Sequence, residues 1–196
     1  IKNITSGEGG CIVTNDNQVL KSARDARLLG VEKDTENRFK GKRSWDFDTH
    51  SQGWRYHMSN IMAAIGIEQF KQFKQFSIRR QELSTYYDKL LHKQKYILPL
   101  NRNYKTVVPH IYVIRIPGMK NREEIKELML DQGIEVGYHY KPNHYLSFYN
   151  KNQFLPITDE VFPELLTLPL HPDLSKNNVK YVVEKLITII TNSFNE

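Results

Sequence analysis

Apolar residues recur at helical spacing in two stretches of the first half of this chain, and each stretch predicts a helix. The first helix is predicted over 17–29, with a polar cap just before it and Gly30 at its end. The second is long: it begins at Ser59 or Asn60 and runs to about residue 91. The pattern leaves open a break in this helix near Ser77.

In the second half of the chain the pattern alternates between strand and helix. β-branched residues over 107–117 and again over 134–140 predict two strands. Between and after them, Asn121 caps a helix that a glycine closes, a short helix starts at Thr158, and Ser175 caps a final helix. This succession predicts a small α/β domain.

The opening residues read like the middle of a domain. A glycine turn leads into a predicted strand at 11–14, which is too short to stand without partner strands. We therefore expect a preceding segment that carries most of a sheet. Apolar residues show no regular spacing over 31–53, and this pattern predicts a long loop. The chain divides into 1–58 (the end of a large domain), 59–100 (a helical segment between domains) and 101–196 (the small α/β domain).

Composition narrows the class of protein. The chain has 28 Lys and Arg against 22 Asp and Glu, a formal net charge of +6. Because these residues are interspersed, a solvated surface is favoured over a phosphorylated ligand, and nucleic-acid binding comes last. No apolar run approaches the roughly 20 residues that cross a bilayer. With Cys11 alone and no zinc-ligand spacing, we expect no disulfide and no metal, and a cytoplasmic location.

Taken one at a time, the residues with useful chemistry have structural explanations. Lys2 precedes Thr5, Ser6 and the glycine turn. A lysine amine attacks an aldehyde only when it is held and desolvated, so spacing alone favours a surface lysine. His139 and His144 lie in an aromatic-rich loop, where a packed histidine is more common than a functional one.

Five motifs follow one another along the chain. They are KNITSGEGGCIVTND at 2–16, AR-x-x-R with a closing glycine at 23–30, GWRYHMSNIMAAIG at 53–66, H-Y-x-P-x-H at 139–144, and P-x-T-D followed by LTLPLHP within 156–172. This ordered series resembles the DegT/DnrJ/EryC1/StrS family of pyridoxal-phosphate-dependent sugar aminotransferases. Each motif is weak alone and the series is specific. It covers almost the whole chain but only about the C-terminal half of the family.

The resemblance implies an α/β protein of PLP-dependent transferase fold type I, the aspartate aminotransferase-like fold. The chain would supply the end of the large domain, a linking helix and the small domain. Lys2 would form the internal aldimine with pyridoxal 5'-phosphate and move a proton between substrate carbon and cofactor. A dehydratase branch of the family carries histidine at this position, and Lys2 argues against that branch.

Other site residues are implied in the same way. Arg55 stands where many members have an asparagine that reaches the cofactor phosphate of the neighbouring subunit, and a cation suits a phosphate. His57 is a second candidate for cofactor binding. His139, Tyr140 and His144 would line the wall that faces the sugar nucleotide, and His144 is the leading candidate.

The implied reaction moves an amino group, from glutamate, onto a nucleoside-diphosphate keto-deoxy sugar for polysaccharide or antibiotic-sugar synthesis. The enzyme would be a homodimer. The family's other cofactor contacts lie upstream of the lysine, so we expect an N-terminal half of the same protein to supply them and this fragment alone to be inactive. The alternative is a non-catalytic or regulatory DegT-like protein, or a truncated partner subunit.

Overall fold

The chain folds into two compact units. The computed structural model describes residues 2–31, 40–41, 47–100, 102–149 and 153–195. One unit is Ile4–Lys71, and the other is Gln72–Glu196 together with Lys2 and Asn3. The division into three segments made from the sequence stays a prediction.

In the unit Ile4–Lys71, helix α1 spans Asn17–Ala26. Asp16 is its cap, because the Oδ1 atom accepts hydrogen bonds from the first amides of the helix at 2.8 and 3.2 Å. The helix ends three residues before the predicted end. The predicted strand at 11–14 is wrong: these residues form no strand, since the described part of the chain offers them no neighbouring strand to pair with. Most of the predicted loop 31–53 lies outside the described residues.

Helix α2 spans Asn60–Leu91 and continues from one unit into the sequence of the other. Its start is confirmed, and the Ser59 Oγ accepts a hydrogen bond from the Met62 amide at 3.3 Å. There is no break near Ser77. That side chain is buried and donates its hydroxyl to the Phe73 carbonyl at 2.7 Å, so its polar group is satisfied inside the helix.

A three-stranded antiparallel sheet forms the centre of the second unit, in the order β1-β2-β3. The strands are β1 (Leu98–Pro99), β2 (Tyr112–Arg115) and β3 (Leu165–Leu168). Tyr112 pairs with Leu168 and Arg115 with Leu165, so β3 follows β2 along its whole length. Strand β2 is much shorter than the 107–117 predicted, and the sequence pattern missed β1 and β3.

The second predicted strand, 134–140, does not form. Gly137 makes an isolated bridge with Thr167, through N–H···O bonds of 3.1 and 2.7 Å. Tyr138 then packs its ring edge against Phe162, with centroids 5.5 Å apart, and lies 4.0 Å from the Arg122 guanidinium. These contacts fix the segment as an edge that touches the sheet at one point.

Three helices complete the unit: α3 (Arg122–Asp131), α4 (Pro156–Val161) and α5 (Lys176–Asn195). Short 3₁₀ turns occupy Asn143–Tyr145 and Phe162–Glu164. Both predicted caps are confirmed: Asn121 accepts from the Glu124 amide at 3.3 Å, and Ser175 accepts from the Asn178 amide at 3.0 Å. Helix α4 starts two residues earlier than predicted, because proline suits the first helical turn.

The hydrophobic core belongs to this second unit. It joins the C-terminal half of α2, the sheet, α3 and α5. Its principal members are Leu83, Tyr87, Leu91, Tyr112, Ile114, Ile125, Met129, Leu166, Leu168, Val179, Val183, Leu186 and Ile190. Among the described residues of Ile4–Lys71, by contrast, no large hydrophobic side chain is buried. Nowhere in the described ranges does a helix combine the length and apolar character that a bilayer crossing requires.

Helix α2 also holds the turn that follows β3. The buried Arg80 guanidinium donates from one nitrogen to the carbonyls of His110 and Leu170, at 3.1 and 3.0 Å. The Tyr87 hydroxyl donates to the Pro169 carbonyl at 3.0 Å. These bonds fix the chain on both sides of the cavity described below.

Candidate active site

Lys2 is anchored to the second unit through its neighbour in the sequence. The Asn3 side-chain amide donates to the Val108 carbonyl at 3.1 Å, which ties the start of the chain to the segment that leads into β2. Lys2 itself is exposed, and its Nζ lies 5.9 Å from the centroid of the Tyr140 ring. This is the outer range of a cation–π contact, so the amine is positioned and accessible.

His139 and Tyr140 follow the edge segment that bridges to β3. The His139 Nδ1 hydrogen-bonds with the buried Thr167 Oγ1 at 3.1 Å. The two rings of this pair meet edge to face, with centroids 4.8 Å apart. The structure therefore brings together Lys2, His139 and Tyr140, three of the residues that the sequence predicted for the site.

His110 joins this cluster, and sequence reasoning missed it. Its Nε2 is buried and has no hydrogen-bond partner among the described residues. Burial lowers the pKa of His110, and the positive charges of Lys2 and Arg80 lower it further. Both causes favour the neutral form of the imidazole.

A cavity of about 650 Å³ lies beside His110 and His139. Its lining includes three histidines (His110, His139 and His171), Glu135 and Thr167, together with apolar residues of β3, the following turn and α5. A concave site with mostly apolar walls and a few converging polar groups is typical of small-molecule binding.

His144 occupies a different environment. Its side chain is 6% exposed, and Nε2 donates to Asp159 Oδ1 at 2.6 Å. The Tyr145 hydroxyl donates to the same oxygen at 2.7 Å, and the Leu155 amide donates to the other at 3.2 Å. The hydrogen bond from Tyr145, followed by that from His144, lowers the pKa of Asp159. His144 thus fastens its loop to α4, and this bond occupies its Nε2.

Arg55 and His57 belong to the unit Ile4–Lys71. The segment around them is pinned to the end of α1: the Trp54 amide donates to the Ala26 carbonyl at 2.6 Å, and the Tyr56 amide donates to the Arg27 carbonyl at 2.9 Å. Both Arg55 and His57 are exposed. Their backbone is therefore fixed while their side chains stay available to a ligand.

Two glycines permit this arrangement. Gly30 has φ +75°, and a Cβ added there would lie 2.3 Å from the Ser51 carbonyl oxygen. A Cβ on Gly53 would lie 1.9 Å from the Gly30 nitrogen. The two backbones touch, which only glycine allows at both positions.

A groove of about 800 Å³ lies in the same unit, lined by the glycine turn, α1 and the segment 56–59. His57, Arg24 and Arg27 contribute basic groups to it, and Cys11 and Ile12 contribute apolar surface. The arginines come from the AR-x-x-R motif, so the sequence motif and the groove coincide.

Comparison with known proteins gives one family. A model of the DegT/DnrJ/EryC1/StrS aminotransferase family matches residues 1–187. A UDP-4-amino-4,6-dideoxy-N-acetyl-beta-L-altrosamine transaminase of Campylobacter jejuni is 31% identical, and the match covers 97% of this chain and 50% of that protein. The spore coat polysaccharide biosynthesis protein SpsC of Bacillus subtilis is 28% identical, with 96% and 51% covered. The chain spans about half the length of these curated relatives.

Solved structures agree in fold. Helicobacter pylori PseC, an aminotransferase involved in the biosynthesis of pseudoaminic acid, matches with a TM-score of 0.85 at 24% identity, over 98% of this chain and 51% of that one. The putative sugar aminotransferase Spr1654 of Streptococcus pneumoniae, in its PMP form, matches with a TM-score of 0.82 at 28% identity, over 97% and 51%. The fold is that of the PLP-dependent enzymes of fold type I, in its C-terminal portion.

Proposed function

The chain belongs to the DegT/DnrJ/EryC1/StrS aminotransferase family, and we propose that it is the C-terminal half of a PLP-dependent enzyme that aminates a nucleotide-linked keto-deoxy sugar. The amino donor would be glutamate and the working enzyme a homodimer. The curated relatives named for a UDP-sugar transaminase and for polysaccharide biosynthesis support this substrate class.

The observation that carries the proposal is the placement of Lys2. Its segment is tied down by Asn3, and no ion pair or hydrogen bond engages Nζ among the described residues. An available, positioned amine fits an aldehyde cofactor such as PLP, which needs a lysine for covalent attachment. The described residues therefore fit the part of the cofactor site that this chain would supply.

Each residue then has a role that follows from its position. When bound, PLP would withdraw electrons from the carbon that carries the amino group. Lys2 would hold the cofactor through Nζ and, once released, carry a proton to or from that carbon. The Tyr140 ring would shield one side of the amine. Arg55 and His57, exposed on a fixed backbone, would bind the phosphate of the cofactor that the neighbouring subunit holds.

His139 and His144 would serve the sugar side in different ways. His139 is oriented by Thr167 and lines the cavity, so it can contact a ligand directly. His144 has its Nε2 bonded to Asp159, so its contribution is to hold the loop 140–149 in shape. Both roles are consistent with the proposal that this loop forms part of the wall facing the sugar nucleotide.

The test uses the complete protein that carries this chain. Added PLP should give a visible absorption band, and borohydride reduction should fix the cofactor on Lys2, as read from a peptide mass map. Lys2→Ala should remove this label and lower transamination of a UDP-keto sugar at least about 100-fold, because a general acid–base group contributes at least that much. Lys120→Ala, at another exposed lysine, should change neither.

Two outcomes would contradict the proposal. Full transamination by Lys2→Ala would remove the lysine from the reaction. Absence of both the absorption band and the label in the wild-type protein would favour a non-catalytic family member instead.

A further inference from the structure

A single carboxylate of α4, that of Asp159, accepts three hydrogen bonds. Its Oδ1 accepts from His144 Nε2 at 2.6 Å and from the Tyr145 hydroxyl at 2.7 Å, and its Oδ2 accepts from the Leu155 amide at 3.2 Å. The His144 side chain is 6% exposed and that of Asp159 26%, so water competes little for the bond between them. Hydrogen bonds to an ionised acceptor are stronger than neutral ones. We call these four residues the Asp159 clasp.

The Asp159 clasp fixes the position of a short turn. Two of its members belong to the 3₁₀ turn Asn143–Tyr145. The Tyr145 ring also packs edge to face against the buried Phe162, with centroids 5.8 Å apart. A 3₁₀ turn of three residues has few hydrogen bonds of its own, so its place on the unit depends on what its side chains hold. The Asp159 clasp therefore attaches the loop 140–149 to α4.

A second attachment holds the start of this loop at the sheet. Gly137 and Thr167 exchange backbone hydrogen bonds of 3.1 and 2.7 Å, and the His139 Nδ1 hydrogen-bonds with the Thr167 hydroxyl at 3.1 Å. Tyr140 is the next residue, and the Asp159 clasp begins four residues further on, at His144. Four residues span at most about 14 Å even when fully extended, so a segment held at both ends leaves Tyr140 little freedom.

These attachments matter because most of the Tyr140 ring lies in solvent. Tyr140 is 64% exposed, its ring meets the His139 ring edge to face, and its centroid lies 5.9 Å from Lys2 Nζ. Since packing holds so little of the ring, its place beside the amine depends on the backbone that carries it. We propose that Asp159 is a positioning residue of the active site, because its clasp keeps the Tyr140 ring beside Lys2. This inference rests on the proposed function, which makes that amine the reactive group.

The experiment observes Lys2 in the complete protein without cofactor, by NMR of ¹³C-labelled lysine side chains. An aromatic ring shifts the resonances of nuclei close to it, so Tyr140→Ala gives the change in the Lys2 ε-methylene signal that loss of the ring produces. Asp159→Ala should move the signal in the same direction, and the double variant should move it no further than Tyr140→Ala does. Asp131→Ala, at an exposed aspartate that ends α3, is the matched control and should leave the signal unchanged.

Hydrogen exchange tests the Asp159 clasp itself. The Tyr145 and Leu146 amides donate to nearby carbonyls at 3.0 Å, and in Asp159→Ala their exchange should quicken roughly 10-fold, the effect of a lost hydrogen bond. Tyr145→Phe covers the case in which Asp159→Ala misfolds, because it keeps the ring against Phe162 and removes one of the three donors. It should give smaller changes in the same direction, both in exchange and in the Lys2 signal.

Several results would overturn the inference. Unchanged exchange in Asp159→Ala would show that the Asp159 clasp does not hold the loop, and faster exchange with an unmoved Lys2 signal would show a contact that stabilises the loop alone. A Lys2 signal that Tyr140→Ala leaves unmoved, or that the double variant moves further than Tyr140→Ala does, would separate Asp159 from the amine. Failure to label Lys2 with PLP would refute the proposed function instead. Because the NMR measurement needs no cofactor, the two failures are distinguishable.

Discussion

Replacing Arg80 tests whether a buried cation stabilises the turns around the cavity. The residue is 5% exposed, and one guanidinium nitrogen donates to two backbone carbonyls, those of His110 and Leu170. The change is Arg80→Met, which keeps most of the side-chain volume and removes both donors. Both carbonyls would then lack their Arg80 donor.

The magnitude follows from two opposing terms. Two hydrogen bonds from a charged donor contribute about 1.5–3 kcal/mol each. Against this, burial of the cation is unfavourable: it lowers the pKa of Arg80, and Nε has no partner in the described residues. We expect a net local destabilisation of about 2–3 kcal/mol, which corresponds to roughly 30- to 150-fold in an opening equilibrium.

Hydrogen–deuterium exchange of the complete protein provides the assay. Peptides covering 108–114 and 168–174 should exchange faster by that factor in Arg80→Met, while peptides from α3 should change little. Lys89→Met, at an exposed position of the same helix, is the control. Unchanged or slower exchange in Arg80→Met would refute the reasoning, since it would mean that desolvation of the guanidinium outweighs its hydrogen bonds.

Three further predictions concern stability. Ser175→Ala removes the cap that accepts from the Asn178 amide and should destabilise α5 by about 1 kcal/mol, measured as faster exchange in its first turn, whereas Ser175→Asp should not. Tyr87→Phe keeps the ring but deletes the bond to the Pro169 carbonyl, so thermal unfolding should shift by the equivalent of about 1–2 kcal/mol; an unchanged midpoint would contradict it. The backbone N–H of Gly118 lowers the pKa of the Glu164 carboxyl, so the stability that this carboxylate contributes is present above about pH 4.5 and is lost as the pH falls through its folded pKa. In Glu164→Gln, the free energy of unfolding should therefore fall less steeply on the acid side.

The parts of the fold that the sequence predicted correctly are local. Asn121 and Ser175 cap their helices through side chains that reach an amide three residues away, so neighbouring residues determine the outcome. Strand pairing is not local. The pattern predicted a strand at 134–140 and missed the one at 165–168, because packing across the unit decides which segment pairs with β2. The wrong strand at 134–140 and the missed strand β3 have this single origin.

The candidate site likewise contains residues that the sequence motifs indicated and one that they did not. Lys2 and Tyr140 are far apart in the sequence, and only the ordered motifs indicated that they serve one site; the structure places them in contact range. His110 carries no motif of its own, since it is one histidine before a strand. What distinguishes it is a buried Nε2 with no partner among the described residues, together with charges from distant parts of the chain that lower its pKa.

The two units place different limits on functional interpretation. The residues around His110 rest on a unit with its own hydrophobic core, so their arrangement follows from contacts within this chain. In the unit Ile4–Lys71, Val13 is 92% exposed, Ile61 76% and Phe70 67%, and burying such side chains is worth about 25 cal/mol per Å². That surface would gain stability from a cover, and the relatives are about twice as long as this chain. If the proposed N-terminal half supplies the cover, the ligands that Arg55 can bind depend on that half as much as on α1, whereas substitutions in this chain alone can test the arrangement around His110.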